Sequence, residues 1–183
     1  MLSSFRKACT GRRGSHPKDL TDTEWWTLGQ HFGLATPLLD WTQSPYVAAY
    51  FALKEQTSPS STYRAVWAYT SISCDDILIN KRCNWDKEIS EIDSIEIIEG
   101  LIDENSRIIS QSGLFTKTPE GEDIEEFIDN NINLQGSLPI LYKIEIPDSE
   151  REIFLRHLEA MNIHDSSLFP DIHGAADYAN RSL

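Results

Sequence analysis

GQHFGLATPLLDWTQSPYVAAYFAL, residues Gly29 to Leu53, places an amide, an imidazole, two hydroxyls, a carboxylate and an indole among apolar residues. Polar groups in such surroundings are paired or shifted in pKa, because leaving them bare is costly. The segment divides into three. A helix ends near Gly33, which can take the left-handed cap conformation. Leu38–Trp41 reads as a short strand or extended turn. Ser44 then caps a second helix with Pro45 at its first position, where the missing N–H costs nothing. That helix, Tyr46 to Leu53, is apolar nearly all round, and Ala48, Ala49 and Ala52 allow close packing, so a central position is expected. Trp41, Val47 and Phe51 are expected to be buried. Asp40 is expected to accept from nearby backbone N–H groups or from Thr42. Two readings of the segment stand side by side. In one it builds a cleft, with a phosphate near Thr42–Tyr46 at the helix start. In the other, Asp40 and Thr42 bond the backbone of a tight turn and His31 is a core histidine.

Outward from this segment the pattern alternates between helix and strand. Thr21 with Glu24 forms a capping box, with Leu20 and Trp25 at the staple positions. The helix it opens runs to Phe32, with Trp25, Leu28 and Phe32 on one face. Residues 1–18 are basic and aperiodic and read as a frayed arm with one short helix around Phe5–Cys9. The first boundary is set at residue 19, and residues 20–183 form one domain. Tyr63–Tyr69 reads as a strand buried on both faces and Ile95–Ile98 as a short strand, with a charged surface excursion over Asn80–Ser94. Asn105–Gln111 is a short helix or turn. Asp123–Ile132 is a helix with Ile124, Phe127, Ile128 and Ile132 on one stripe. Leu141–Ile146 alternates as a half-exposed strand. Ser149 with Glu152 suggests another capping box, for a helix carrying Phe154, Leu155, Leu158 and Met161. The tail docks through Leu168 and Phe169 and ends in a helical turn. The fold class is α+β, with mixed sheets and flanking helices.

Composition narrows the function classes. The 183 residues carry 16 bases and 29 acids, a formal charge of −13. That argues against general nucleic-acid binding, which needs basic surface. Cys9, Cys74 and Cys83 form no CxxC pair and read as reduced thiols, so a cytoplasmic location is expected. No apolar run is long enough for a membrane span and no secretory signal stands at the front.

Other chemistry is thin. His31 and Asp40 suit a base and its orienting carboxylate, but no nucleophile accompanies them. His157, His164 and His173 match no metal-ligand spacing, and no metal is expected. There is no phosphate-binding glycine loop. Glu120–Glu126 reads as a helix start whose carboxylates suit the dipole. Arg107 and Gln111, four apart, project on one side of a helix, with Gly113 freeing the backbone and Phe115 beyond.

Gln30-His31-x-Gly33-Leu34-x-Thr36, then Leu38-Leu39-Asp40-Trp41-Thr42-x-Ser44-Pro45, then Ala48 and Tyr50-Phe51-Ala52 resembles the central signature of the FRG-domain family of bacteria and their viruses. Arg107-Ile108-x-x-Gln111-x-Gly113-x-Phe115 resembles a second block. Leu168-Phe169-Pro170-Asp171 with Gly174 and Ala175 resembles a third. The resemblance spans roughly residues 20–180. It departs at the front, where the Phe/Tyr-Arg-Gly strand has only fragments, Phe5-Arg6-Lys7 and Arg13-Gly14; a truncated or degenerate N-terminus is the expectation. Pro37 stands where many members have Arg.

The block order is similar to that of ADP-ribosyltransferases. The resemblance implies NAD as ligand, with Gln30, His31, Asp40 and Gln111 as catalytic candidates and Thr36, Thr42, Ser44, Tyr46 and Arg107 as cofactor-binding candidates. Leu38–Thr42 and Ser44–Leu53 would form the strand and helix flanking the nicotinamide pocket. Gln111 lies where such enzymes place a glutamate, so this chain is expected to cleave NAD poorly, if at all. The rival is a non-catalytic interaction module of a toxin or defence system, with an acceptor or partner protein of unknown identity. An enzyme would show His31, Asp40 and Gln111 lining one open pocket; a module would show them satisfied in a closed core.

Overall fold

The computed structural model describes residues 1–14, 17–56, 61–70, 95–100, 106–119, 122–131 and 140–181. Helix α1, Leu2–Ala8, starts earlier than the expected Phe5–Cys9 and lies against α2, Asp22–His31. The contact centres on Trp25. Phe5 meets its ring edge-on at 6.1 Å, and the guanidinium groups of Arg6 and Arg13 lie 5.6 and 4.8 Å from it. Arg6 also pairs with Asp22 at 2.6 Å. The basic arm is thus tied to the first long helix by ring and charge contacts. The capping box forms as the sequence predicts. Glu24 N–H donates to Thr21 Oγ1, while Thr21 N–H at 2.7 Å and the Thr21 hydroxyl at 3.0 Å donate to Glu24 Oε2, and these last two bonds hold the Glu24 carboxyl below its usual range. Gly33, at φ +82°, ends the helix. Phe32 does not share the buried face: it is 70% exposed at the C-cap, where the helix has already begun to unwind.

Strand β1, Leu38–Thr42, leads into α3, Pro45–Leu53, whose Ser44 hydroxyl accepts from Val47 N–H. Then come β2, Tyr63–Tyr69; β3, Glu96–Glu99; α4, Ser106–Gln111; and β4, Gly113–Lys117. Next are α5, Ile124–Asn131; β5, Leu141–Pro147; a 3-10 turn, Asp148–Glu150; α6, Arg151–Ala160; α7, Asp165–Leu168; and α8, Ile172–Arg181. The strands form two antiparallel sheets, in the orders β1-β4-β3 and β2-β5. In the first, Asp40 stands opposite Phe115 and Thr42 opposite Gly113. The architecture is α+β, and each described strand pairing is antiparallel.

Among the described residues, three apolar clusters hold the elements. Val47, Tyr50 and Leu53 of α3 pack with Ile146, Leu158 and Leu168. Leu38, Ile98 and Phe115 pack with Trp26 and Ile108. Ile95, Phe127, Ile128 and Ile140 form the third.

Helix α3 is central through one face only. Tyr46 is 54% exposed, and Phe51, expected to be buried, is 37% exposed. Its C-terminal carbonyls are capped from afar: the Arg151 guanidinium donates to Leu53 O at 2.6 Å and to Lys54 O at 3.1 Å. This explains why the expected Ser149–Glu152 box is absent. A 3-10 turn precedes α6, no side chain caps its start, and Glu152 pairs with Arg151 instead. On α6 Leu158 is buried, while Phe154 and Met161 are exposed, so the apolar face is narrower than expected. β2 is not buried on both faces: Tyr63 and Trp67 are exposed, as a strand of a two-stranded sheet leaves much of its surface uncovered. β3 lies one residue later than expected, and the tail forms the full helix α8 rather than a turn. The excursion over 80–94, Asn105, Ile132, Cys74 and Cys83 lie outside the described residues.

Candidate functional site

A chain of short-range polar contacts explains the spacing of Gln30, Thr36 and Asp40. Leu38 N–H donates to Thr36 Oγ1 at 3.3 Å. With its lone pair so used, the Thr36 hydroxyl turns its proton to Gln30 Oε1. That contact fixes the amide, so Gln30 Nε2 donates to Asp40 Oδ2 at 2.9 Å, with Leu38 O a second acceptor at 3.4 Å. Asp40 is therefore held by Gln30, rather than by backbone N–H groups, Thr42 or His31. Its carboxyl is pushed above the usual range because surrounding protein strips water from it, with the Gln30 bond opposing. The residue is exposed, but into a concavity rather than to open solvent.

That concavity is a cavity of about 800 Å³ bordered by both sheets, α3 and α4. Gln30, His31, Asp40, Thr42, Arg107 and Gln111 all line it. Antiparallel pairing of β1 with β4 and the tie of Thr42 Oγ1 to Gln111 O at 2.6 Å bring the first and second sequence blocks together. The Gln111 amide is pinned in turn, its Nε2 donating to Leu168 O at 3.1 Å. Arg107 pairs with Asp171 Oδ2 and lies 5.4 Å from the Phe169 ring centroid. Asp171 Oδ1 meanwhile accepts from Gly174 N–H at 2.9 Å, the first turn of α8. The third block thus fastens the second. His31 stays below its ordinary pKa, first through partial burial and then through the Arg107 charge, with Asp171 opposing.

Three cofactor-binding candidates do not reach the cavity lining: Thr36 is turned to Gln30, Ser44 caps α3, and Tyr46 faces out. The expected phosphate position at the start of α3 is filled by the chain's own groups. Thr42 Oγ1 accepts from Ser44 N–H at 3.1 Å and Ser44 Oγ accepts from Val47 N–H at 3.4 Å. Residue reading missed Trp67, Phe169, Asp123 and Glu125, which also line the cavity. Asp123 and Glu125 were visible only as helix-start acids. Trp67 carried one signal, an aromatic flanked by the smaller Ala65, Val66 and Ala68 on its strand. Trp41 is set in place by its indole N–H, which donates to Thr116 Oγ1 at 2.8 Å. Among the described residues no group of His, Cys, Asp or Glu is placed to hold a metal ion, and no helix is long and apolar enough to cross a membrane.

The state of Asp40 is testable through stability. Asn at this position keeps an acceptor for Gln30 and removes the desolvated charge. The folded-state pKa of Asp40 is raised, so the folded protein binds that proton more tightly than the unfolded chain does. Stability then falls as pH rises from the unfolded carboxyl value through the folded one. Asp40→Asn should match the parent protein in acid and equal or exceed it at neutral pH. Urea midpoints for both proteins across pH 3 to 8 check this; an Asn variant clearly weaker at neutral pH would contradict it.

Neither a curated protein nor a solved structure matches the chain. The FRG domain family model matches residues 1–61, which contain the Gln30–Thr36–Asp40 contacts, β1 and α3. Over those residues, a third of the chain, the sequence is similar to the FRG domain family, in line with the signature around Gln30 and Asp40.

Proposed function

We propose that the cavity binds NAD in the manner of an ADP-ribosyltransferase-like domain, and that this chain turns it over slowly. One observation carries the reading: His31 and Asp40, with Gln111 from far along the chain, line a single open cavity rather than a closed core. Its volume, about 800 Å³, falls within the size range of small-molecule sites. The β1–α3 unit borders it, and aromatic side chains offer faces to planar rings. Asp40 and Gln30 supply polar anchors, and Arg107 a cation for phosphate.

NAD would supply a labile bond between ribose and nicotinamide. Its cleavage develops positive charge on the ribose, which a preorganised carboxylate stabilises. Gln111 offers a neutral amide there, with its N–H bonded to Leu168 O. Arg107 must share itself between a phosphate and Asp171. Each missing electrostatic contact costs roughly 100–1000-fold in rate. Calorimetric titration with NAD, paired with a nicotinamide-release assay, tests the proposal. Saturable binding, weakened by Asp40→Ala, with release near background is expected. Rapid release would refute the slow-turnover part. No binding at millimolar NAD would overturn the reading in favour of an interaction module.

A further inference from the structure

The charge of the cavity lining is at odds with a site built mainly for a polyanion. Asp40, Asp123 and Glu125 face it with one guanidinium, Arg107, which Asp171 already pairs. The remaining surface is rich in aromatic rings, among them Trp41, Trp67 and Phe169. Such rings already draw cations in this protein: Lys143 Nζ lies 5.8 Å from the Trp67 centroid and Lys54 Nζ 5.0 Å from that of Phe169. Asp40 is oriented for a visitor. Gln30 takes Oδ2, and among the described residues no hydrogen bond reaches Oδ1.

We infer that the cavity selects a planar organic cation, with Asp40 as its counter-charge and Trp41 and Trp67 as its aromatic surfaces. A flat cation satisfies both features at once: its face meets the ring quadrupoles and its charge meets a partly desolvated carboxylate. The inference rests on the NAD reading, since the oxidised nicotinamide ring is an N-alkylpyridinium, and it goes further. The reduced, uncharged ring is rejected, and the positive ring rather than the diphosphate dominates recognition.

The test uses the full chain and follows indole N–H resonances while 1-methylnicotinamide, nicotinamide, NAD and its reduced form are titrated separately. The Trp41 and Trp67 signals should shift saturably with 1-methylnicotinamide, while Trp25, packed under α1, stays still. Affinity for this cation should exceed that for neutral nicotinamide at least about tenfold, the scale of a partly desolvated cation–π contact with a carboxylate. Asp40→Asn should erase the preference, and a urea midpoint at neutral pH equal to or above that of the parent protein shows that the variant is folded. Equal affinity for the charged and neutral rings, with NAD still binding, would overturn the inference and leave the NAD reading intact. A response to 1-methylnicotinamide without one to NAD would do the reverse. No shift with any of the four would remove both.

Discussion

Asp165→Ala should lower stability by about 3 kcal/mol, a drop of roughly 6–12 °C in melting temperature for a domain of this size. Asp165 is 2% exposed and accepts from the hydroxyl of Tyr50, itself 1% exposed. The contact joins α3 to α7 in the middle of the largest apolar cluster. Removing the carboxylate takes from the buried phenol the acceptor that Asp165 supplies. Tyr50→Phe takes away the donor instead, and losing a hydrogen bond to a charged group costs about 1.5–3 kcal/mol. The double variant should cost less than the two singles added, because the second loss removes a group already stripped of this partner. Urea unfolding of all four proteins measures the coupling. Additive losses would show that the two side chains act separately.

The second large effect is expected at Gly174. A Cβ there would stand 2.0 Å from Phe169 O and 2.5 Å from Phe169 Cβ. The obstacle is backbone, which cannot swing aside as a side-chain tip can. In an exposed helix Gly→Ala gains about 1 kcal/mol from helix propensity. Overpacking against a fixed neighbour costs about 1–3 kcal/mol and sometimes more. The clash is severe enough to place Gly174→Ala at a net loss of about 2 kcal/mol, despite the better helix former. Phe169 must move with it, so affinity for the proposed NAD ligand should fall as well. A stability equal to or above that of the parent protein would show that α8 shifts freely, and the tight approach would then have no energetic meaning.

These two positions mark where sequence reading stops. The Thr21 box, the Gly33 stop and the Ser44–Pro45 start were legible because each depends on residues a few places apart. The strand at Leu38 was legible for the same reason. Pairings across the chain were not: Trp41 with Thr116, Tyr50 with Asp165 and Arg151 with the end of α3 have no local signature. The Ser149 box shows the converse, a correct local pattern outbid by a distant demand on its neighbour Arg151. At the candidate site, Gln30, His31 and Asp40 were legible as polar residues in apolar company, and Gln111 through its four-residue spacing from Arg107. Thr36, Ser44 and Tyr46 were read toward a ligand, whereas Thr36 and Ser44 serve the backbone and its neighbours and Tyr46 faces outward. The walls formed by Trp67, Glu125 and Phe169 come from segments that only the tertiary fold assembles.

Phe169 closes part of the cavity wall, and Asp171 fastens that wall by bonding both Arg107 and the first turn of α8. The consequence concerns timing. During synthesis the residues around Asp40 leave the ribosome well before Phe169 and Asp171, at roughly 5–20 residues per second. For seconds the nascent chain therefore holds its polar groups beside an unfinished hollow. Ligand capture becomes an event of completion. Once the wall docks, a bound ligand stabilises the finished fold in proportion to the logarithm of its concentration over Kd. If NAD is that ligand, as proposed, a cell rich in it would shelter newly made copies from proteases, and a cell depleted of it would see them cleared sooner.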